Sequence, residues 1–302
     1  MKVFVTGGTG YIGSAVSLRL KKAGHDVQAL VRTKDKAAAL TAAGVKLVQG
    51  ELANPAGYAA AAYGVQAIVH CASDPGPQHV ELDRKSIQNA RELLHGRVGA
   101  TFIYTSGVWV LGDTAGAVVD ETVPTKPAQI SAWRPAHEQL TLGMSKEGIR
   151  AVVVRPGIVY GGTRGGIPAM MFGTAVKQGA AQIVGEGANH WPLVHVDDLA
   201  ELYVRLVERA PAGSIFHGTD ASTHTVREIA EAASRAAGKD GKVNLLPLDK
   251  ARSALGGPFA DALALDQMVS SEKARTELDW RPRHEDFVAE APQLFAQWHS
   301  AQ

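Results

Sequence analysis

Three glycines after the first hydrophobic run have the spacing of a phosphate-binding loop. In VTGGTGYIGSAV, Gly7, Gly10 and Gly13 stand between a short β-branched run and a helical segment. Such glycines allow a tight turn, close approach to a pyrophosphate and close packing of helix on strand, and the helix N-terminus offers free N–H groups. Because a strand precedes the motif and a helix follows it, the motif predicts dinucleotide binding rather than a structural turn. Tyr11 and Ile12 are expected to belong to the same loop.

The end of the second predicted strand bears on which dinucleotide binds. A site for NAD normally has a carboxylate there for the ribose 2′-hydroxyl, but this sequence has Val31 followed by Arg32, with Lys36 one turn later. A guanidinium suits a 2′-phosphate through paired, charge-assisted hydrogen bonds. The alternative is that Arg32 and Lys36 are solvated surface charges. We expect NADP(H), with NAD(H) less favoured.

The elements that must position this loop alternate through the first half of the chain. Short buried runs alternate with longer helical stretches such as 14–24, which is typical of βαβ units and a parallel sheet. The sequence therefore predicts an α/β fold, a doubly wound parallel sheet of the Rossmann type with a smaller C-terminal substrate-binding lobe. The predicted strands are 2–7, 26–32, 46–50, 67–72, 101–106, 151–157 and 214–218.

The second half is less regular, and its glycines, prolines and amphipathic helices are typical of an inserted lobe. The clearest helix is 226–238, with Ile229, Ala232 and Ala233 on one face. We expect residues 1–160 to form an NADP-binding Rossmann core. Residues 161–302 are expected to form mainly the substrate-binding lobe, with late core elements at about 192–220.

The composition of the chain limits the classes of molecule that the protein is expected to bind. The 302 residues include 31 basic and 30 acidic side chains, which are interspersed, so no basic face indicates nucleic acid. No apolar run reaches the roughly 20 residues that span a bilayer. The single Cys71 excludes an intramolecular disulfide, and the N-terminal residues run directly into a strand without a leader pattern. We expect a cytoplasmic monomer or homodimer that binds a small-molecule substrate, with no nucleic acid, membrane or metal.

Several motifs in order resemble those of the extended and atypical short-chain dehydrogenases/reductases, the group that includes NAD-dependent epimerases and dehydratases. The motifs are TGGTGYIG, GEL at 50–52, HCAS at 70–73, RPGIVYG at 155–161, VHVDDLA at 194–200 and KARTELDWRP at 273–282. The resemblance covers nearly the whole chain. It implies further cofactor contacts at Glu51, Leu52, Cys71, Ala72, Ser73, Thr105, Pro156 and Gly157.

The resemblance fails at the catalytic set of that family. The set is a serine or threonine after the fifth strand and a Tyr-x-x-x-Lys pair, in which the tyrosine exchanges a proton with the carbonyl. Here Gly107 stands at the hydroxyl position, Trp133 at the tyrosine and His137 at the lysine. The resemblance therefore implies cofactor binding, but it does not extend to standard epimerase or carbonyl-reductase chemistry.

Three residues are candidate proton donors. His137 falls on a predicted helix and titrates in a useful range, but a helical histidine followed by Glu138 is often a surface residue. Tyr160 ends the RPGIVY run and could reach a substrate or serve packing. Ser106 could bond to substrate or cofactor, or cap backbone groups at a strand end. Asp197 or Asp198 is expected only to cap a helix beginning at Leu199.

Large side chains indicate the character of the substrate. In this fold their segments converge on the carboxyl edge of the sheet, where ligands bind. At least two of them are expected to be lobe core, and the rest favour an apolar or aromatic substrate over a charged nucleotide sugar. These side chains are Trp109, Trp133, Tyr160, Met170, Phe172 and Trp191.

Three functional hypotheses follow. The first is an NADP(H)-dependent oxidoreductase that transfers a hydride to an apolar or aromatic carbonyl, imine or activated alkene. The second is a nucleotide-sugar epimerase or dehydratase, which the late motifs favour and the missing Tyr-x-x-x-Lys pair opposes. The third is a regulatory protein that binds NADP(H) without turnover.

Overall fold

The computed structural model describes residues 1–302, and strands and helices alternate through its first half as the sequence predicts. In chain order these elements are β1 (Lys2–Thr6), α1 (Tyr11–Lys22), β2 (Asp26–Val31), α2 (Ala38–Ala42), β3 (Lys46–Gln49), α3 (Ala56–Ala62), β4 (Ala67–His70), α4 (His79–Leu94) and β5 (Thr101–Thr105).

The second half completes the main sheet and adds shorter strands and helices. These elements are β6 (Val118–Val119), α5 (Arg134–Gly143), β7 (Arg150–Pro156), β8 (Ile158–Gly161), β9 (Gly165–Gly166), α6 (Ala169–Gln178), β10 (Ala181–Val184), β11 (Leu193–His195), α7 (Val196–Arg209), β12 (Ser214–Gly218), α8 (Val226–Ala236), β13 (Val243–Leu246), α9 (Leu248–Leu255), α10 (Gly257–Leu263), β14 (Met268–Val269), α11 (Glu272–Glu277) and α12 (Phe287–His299).

Seven parallel strands form the main sheet in the order β3-β2-β1-β4-β5-β7-β12. The chain moves outward from β1 to β3 and then returns to β4 on the other side of β1. This reversal opens a crevice at the carboxyl ends of β1 and β4, where ligands bind in doubly wound sheets. The predicted α/β class is confirmed, and all seven predicted strands lie in this sheet.

Helices cover both faces of the sheet, as a doubly wound fold requires. On one face, α1 and α7 pack with the sheet residues in one hydrophobic core. Trp280 joins this core from the C-terminal region, and its indole Nε1 donates to the carbonyl oxygen of Asp198 at 2.9 Å. On the other face, α3 and α4 contribute Tyr58, Ile87 and Leu94 to a second core. No helix has the length and apolar character needed to cross a membrane.

The lobe has a hydrophobic core of its own, built from residues between Ile158 and Leu294. Its helix α8 begins with a capping box in which Thr225 and Glu228 bond to each other's backbone N–H groups, and it ends two residues before Gly238. The lobe also holds the pair β10-β13 and the three-stranded β11-β8-β9 sheet. The predicted helix at 226–238 is therefore present.

The start of α7 differs from the prediction. The helix begins at Val196, and its cap is the side chain of His195, whose Nδ1 accepts from the Asp197 N–H at 3.2 Å. Asp197 and Asp198 lie in the first helical turn, where negative charge is favourable. The carboxylate of Asp198 instead accepts from the backbone N–H groups of Arg283 and His284, at 3.0 and 2.8 Å. The expected aspartate cap before Leu199 is therefore wrong.

Candidate functional site

The glycine loop has the tight turn and the close packing that the sequence predicts. Gly7 has a φ of +73°, and a Cβ there would lie 2.8 Å from the backbone of Ala72. A Cβ on Gly13 would lie 2.2 Å from the carbonyl oxygen of Gly7, so that position requires glycine as well. Helix α1 begins at Tyr11 without a side-chain cap at Gly10. Its first N–H groups therefore remain available to an anionic ligand.

A first cavity, here called the Arg32 cavity, lies beside the glycine loop and has a volume of about 240 Å³. Arg32 lines this cavity and is exposed, whereas Lys36 is exposed but lies outside the lining. The structure thus separates the two cations that the sequence grouped together. The predicted cofactor residues that line the cavity are Gly7, Gly10, Arg32, Glu51, Leu52, Cys71, Ala72 and Ser73.

A second cavity, here called the Trp109 cavity, lies on the other side of the glycine loop and has a volume of about 490 Å³. Eight of its 15 lining residues are hydrophobic. Both the sheet and the lobe contribute to it, since Met170 belongs to α6. The predicted site residues that line this cavity are Tyr11, Ile12, Ser106, Trp109, Pro156, Gly157 and Met170.

Two polar groups of the Trp109 cavity differ from the rest of its lining. The Ser106 hydroxyl is buried and has no hydrogen-bond partner. Arg134, which sequence reasoning missed, donates from Nη1 to the Thr105 carbonyl oxygen at 2.9 Å, and its guanidinium lies 4.5 Å from the Trp133 ring centre. A cation at the first position of a helix opposes the helix dipole. That unfavourable placement was the available signal that Arg134 has another role.

His137 is buried, and it does not line the Trp109 cavity. Its Nδ1 lies 2.6 Å from Asp83 Oδ2, and the same carboxylate bonds to His70 Nε2 at 3.2 Å and to the Tyr104 hydroxyl at 2.8 Å. Although burial favours the neutral acid, hydrogen bonds from His137 and His70 hold the pKa of Asp83 well below its usual range. The surface alternative for His137 and Glu138 is wrong, because both side chains are buried.

Trp133 lies over this buried network. Its ring meets the rings of His137 and His79 edge-on, with centroids 4.9 and 5.7 Å apart. It lines only a small recess next to Asp83, and its indole Nε1 is buried without a partner. The residue expected at the tyrosine position therefore packs against the network and lies outside the lining of the Trp109 cavity.

Three of the candidate substrate residues belong to the core of the lobe. Tyr160 is fully buried and its hydroxyl donates to the His284 carbonyl oxygen at 3.2 Å, while burial raises its pKa far above the usual range. Phe172 stacks on Phe287, and the indole of Trp191 donates to a backbone carbonyl. None of Tyr160, Phe172 and Trp191 lines the Trp109 cavity, and all three take the lobe-core alternative that the sequence analysis left open for at least two of the large side chains.

The hydroxyl of Thr105 forms hydrogen bonds within the protein. Its hydroxyl lies 2.5 Å from the Tyr203 hydroxyl and donates to Cys71 Sγ at 3.6 Å. Burial raises the pKa of the Cys71 thiol to about 12. Cys71 therefore stays protonated at neutral pH and can contribute surface, but not a thiolate, to the Arg32 cavity.

A buried ion pair fixes α5 to the main sheet. Arg155 of β7 donates from Nε and Nη2 to the two carboxylate oxygens of Glu138, at 2.9 and 2.6 Å. Next to this pair, burial and the Arg155 charge lower the pKa of His217 to about 3. The pair holds in place the helix that carries Arg134 and His137.

One cluster resembles a set of metal ligands. His195, Asp198 and His284 place one potential ligand atom each within 4.8 Å of one another. The two imidazole rings stack with centroids 3.8 Å apart, and His284 Nδ1 bonds to Glu290 at 2.7 Å. The Asp198 carboxylate already accepts hydrogen bonds from two backbone N–H groups. We therefore interpret the cluster as a structural contact between α7 and the C-terminal segment.

The sheet, with its glycine loop and the two cavities at its carboxyl edge, defines a protein of the doubly wound α/β class. Residues 3–217 match the model of the NAD dependent epimerase/dehydratase family. The chain belongs to this family, whose members include oxidoreductases, epimerases and dehydratases.

Individual relatives cover almost the entire chain. The chain is 30% identical to an uncharacterized protein of Schizosaccharomyces pombe, over 96% of this chain and 98% of the relative. It is 26% identical to a 4-hydroxy-2-methyl-3-oxo-4-farnesyl-3,4-dihydroquinoline-1-oxide ketoreductase of Stigmatella aurantiaca, over 94% and 92% of the two chains. The UDP-glucose 4-epimerase of Thermus thermophilus, solved with NAD, has a TM-score of 0.82 at 22% identity over the full length of both chains.

Proposed function

We propose that this protein is an NADP(H)-dependent oxidoreductase that acts on an apolar or aromatic carbonyl, imine or activated alkene. The observation that carries the proposal is the Trp109 cavity, which adjoins the glycine loop and has a mostly apolar lining. The proposed division of labour is that residues 1–160 hold the cofactor. Residues 161–302 mainly enclose the substrate, with core elements at about 192–220.

The residues present fit a bound dinucleotide. Gly7 and Gly13 have no room for a Cβ, which keeps the loop tight against Ala72, and the uncapped first N–H groups of α1 can receive a pyrophosphate. Arg32 can pair with a ribose 2′-phosphate in the Arg32 cavity, and no carboxylate follows Val31 directly. When bound, the cofactor supplies the hydride. The protein supplies the apolar wall and a polar corner at Ser106 and Arg134.

In this arrangement, the proton that the substrate takes up on reduction can come from Ser106 or from water. His137 and Tyr160 have no place in the lining of the Trp109 cavity, and their polar atoms bond to Asp83 and His284. Ser106 is the candidate donor that lines the cavity with an uncommitted hydroxyl. A serine hydroxyl is a weak acid, so Ser106 can hold an oxygen atom of the substrate but water provides the proton.

The second hypothesis, a nucleotide-sugar epimerase or dehydratase, is favoured by the family match and by the UDP-glucose 4-epimerase neighbour. Its substrate would bring a diphosphate into the site. Arg134 is the only cation that lines the Trp109 cavity, and Arg164 and Arg252 lie outside it. One guanidinium is poor compensation for two phosphates, which is why we rank the oxidoreductase first.

Absorbance at 340 nm with purified protein tests the proposal. We expect NADPH to be consumed with at least one member of a panel of apolar ketones, imines and enones, and NADPH to be preferred to NADH. Conversion of a UDP-sugar without net NADPH consumption would establish the second hypothesis instead. NADPH binding, measured by its fluorescence, without turnover of any panel member would favour a binding protein.

A further inference from the structure

The Trp109 cavity contains one cation and no anion. Its lining has no aspartate or glutamate, and Arg134 is the only basic residue among the 15. Arg134 forms no ion pair within the protein, since its hydrogen bond goes to a backbone carbonyl and its planar face lies on Trp133. The lining of the cavity therefore carries one positive charge without a directly paired carboxylate, although the Arg134 charge also helps to lower the pKa of the buried Asp83.

The hydrogen bonds of the other polar side chains show where a ligand can be held. Tyr11 donates its hydroxyl to the Gly161 carbonyl oxygen at 2.7 Å, and Ser131 donates to the Ala128 carbonyl oxygen at 3.1 Å. Ser106 has no partner for its hydroxyl, although the side chain is buried. Ser106, Arg134 and the indole Nε1 of Trp109 are thus the lining side chains with unused donor capacity, and Arg134 is the charged one among them.

Ser106 and Arg134 lie at the same corner of the cavity. Arg134 Nη1 bonds to the carbonyl oxygen of Thr105, the residue that directly precedes Ser106. This bond and the stacking on Trp133 fix the plane of the guanidinium, so little side-chain entropy remains to be lost on binding. A guanidinium without a paired carboxylate, next in the fold to a free hydroxyl and in a mostly apolar cavity, matches a negatively charged oxygen.

We propose that Arg134 and Ser106 form a binding site for one carboxylate on an otherwise apolar ligand, so that the substrate class is apolar monocarboxylates. The proposal rests on the proposed function only in taking the Trp109 cavity as the substrate cavity. A single guanidinium balances a single negative charge, and the hydrophobic lining accommodates the remaining aryl or alkyl group. The same corner would leave a diphosphate largely uncompensated.

Calorimetric titration of the full chain with phenylacetate and with its neutral analogue phenylacetamide tests this, with and without NADP⁺. We expect phenylacetate to bind at least about tenfold more tightly, as for a charge-assisted hydrogen bond. In Arg134→Met the preference should disappear. Ser106→Ala should weaken phenylacetate binding about threefold to tenfold. Arg91→Met, which removes an exposed arginine on α4, is the matched control and should retain the preference.

Equal binding of the acid and the amide by the wild type would overturn the proposal, and this comparison needs no variant. Persistence of the preference in a folded Arg134→Met protein would overturn it too. If Arg134→Met does not fold, Arg134→Lys is tested instead. We expect Arg134→Lys to bind phenylacetate more weakly than the wild type, and unchanged binding would count against two hydrogen bonds from the guanidinium to the carboxylate. If phenylacetate is preferred but no compound is reduced by NADPH, the carboxylate site stands and the proposed function is wrong. If neutral ketones are reduced but phenylacetate is not preferred, the proposed function stands and the carboxylate site is wrong.

Discussion

Arg32 and Lys36 are close in the sequence, but they differ in their position relative to the proposed cofactor site. The sequence groups the two cations near the ribose, whereas the structure brings only Arg32 to the lining of the Arg32 cavity. The two side chains therefore form a matched pair for experiment, since both are exposed and cationic and only Arg32 lines the cavity.

Arg32→Ala should weaken NADPH binding by about 1.5–3 kcal/mol, the range for hydrogen bonds to charged groups, and leave NADH binding nearly unchanged. Fluorescence titration with each cofactor measures both constants. Lys36→Ala is the control and should change NADPH affinity little. Equal affinity of the wild type for the two cofactors would contradict the assignment of Arg32.

His137 illustrates what sequence alone could not reveal. Its partner Asp83 stands 54 residues earlier in a charged helical stretch, where it resembles a solvated residue. Only the fold brings Asp83 to His70 and His137, so neither burial nor pairing is visible in local patterns. Arg134 was missed for a similar reason, because its unpaired state depends on which residues surround the cavity.

His137→Ala should lower the free energy of unfolding by about 3 kcal/mol, because it removes one partner of a buried carboxylate and leaves a cavity. Urea unfolding at pH 7 measures this loss. Turnover per folded molecule should change little, since His137 lies outside the Trp109 cavity. A large loss of turnover with unchanged stability would restore His137 as the proton donor.

At the scale of elements, helix α5 has to hold Arg134 at the cavity, and its connection to the sheet is the Arg155–Glu138 pair. The sequence predicts β7 well, because a run of β-branched residues is typical of a buried parallel strand. It does not reveal the ion pair, since RPG and HEQ stand 17 residues apart. The two-residue strands β6 and β14 also escape prediction, since they are too short to show periodicity.

Arg155→Met should lower the free energy of unfolding by about 3–5 kcal/mol, because Glu138 would remain buried without its counter-charge. Combining it with Glu138→Leu should recover most of that loss, since an apolar pair needs no compensation. Chemical denaturation of the single and double variants measures both effects. A double variant no more stable than Arg155→Met would show that the charge is not the cause.

At the scale of the whole molecule, the parallel sheet and its order follow from the sequence, but the path of the C-terminal segment does not. The sequence predicts that residues after about 219 belong mainly to the lobe, whereas Ala274, Leu278 and Trp280 pack in the core next to the main sheet. Their contacts depend on tertiary packing across the chain, which periodicity within one segment cannot show. Asp220, where β12 meets the lobe, is another buried group with long-range surroundings.

Asp220 should make global stability depend on pH. Burial, followed by the negative charge of Glu285, raises the pKa of Asp220 to about 8, and one carboxylate oxygen is buried without a partner. The folded protein therefore binds more protons than the unfolded chain between about pH 4 and pH 8, so stability falls as pH rises through that window.

Asp220→Asn should remove this dependence. Its stability advantage over the wild type should grow by on the order of 3 kcal/mol between pH 5 and pH 8. Urea denaturation at several pH values measures the difference, and the exposed Asp35→Asn variant should show no such trend. A difference that stays constant across the window would mean that Asp220 is charged in the folded protein throughout.

The place of Trp280 has a consequence for how the chain matures in the cell. All seven strands of the main sheet are complete at Gly218, some sixty residues before this indole is synthesised. A nascent chain on the ribosome can therefore pair its strands while the face next to α1 and α7 still lacks Ala274, Leu278 and Trp280. Exposed apolar surface of this kind is what chaperones bind and what drives aggregation. We expect this face to close only after Trp280 has left the ribosome, when its indole reaches the carbonyl of Asp198.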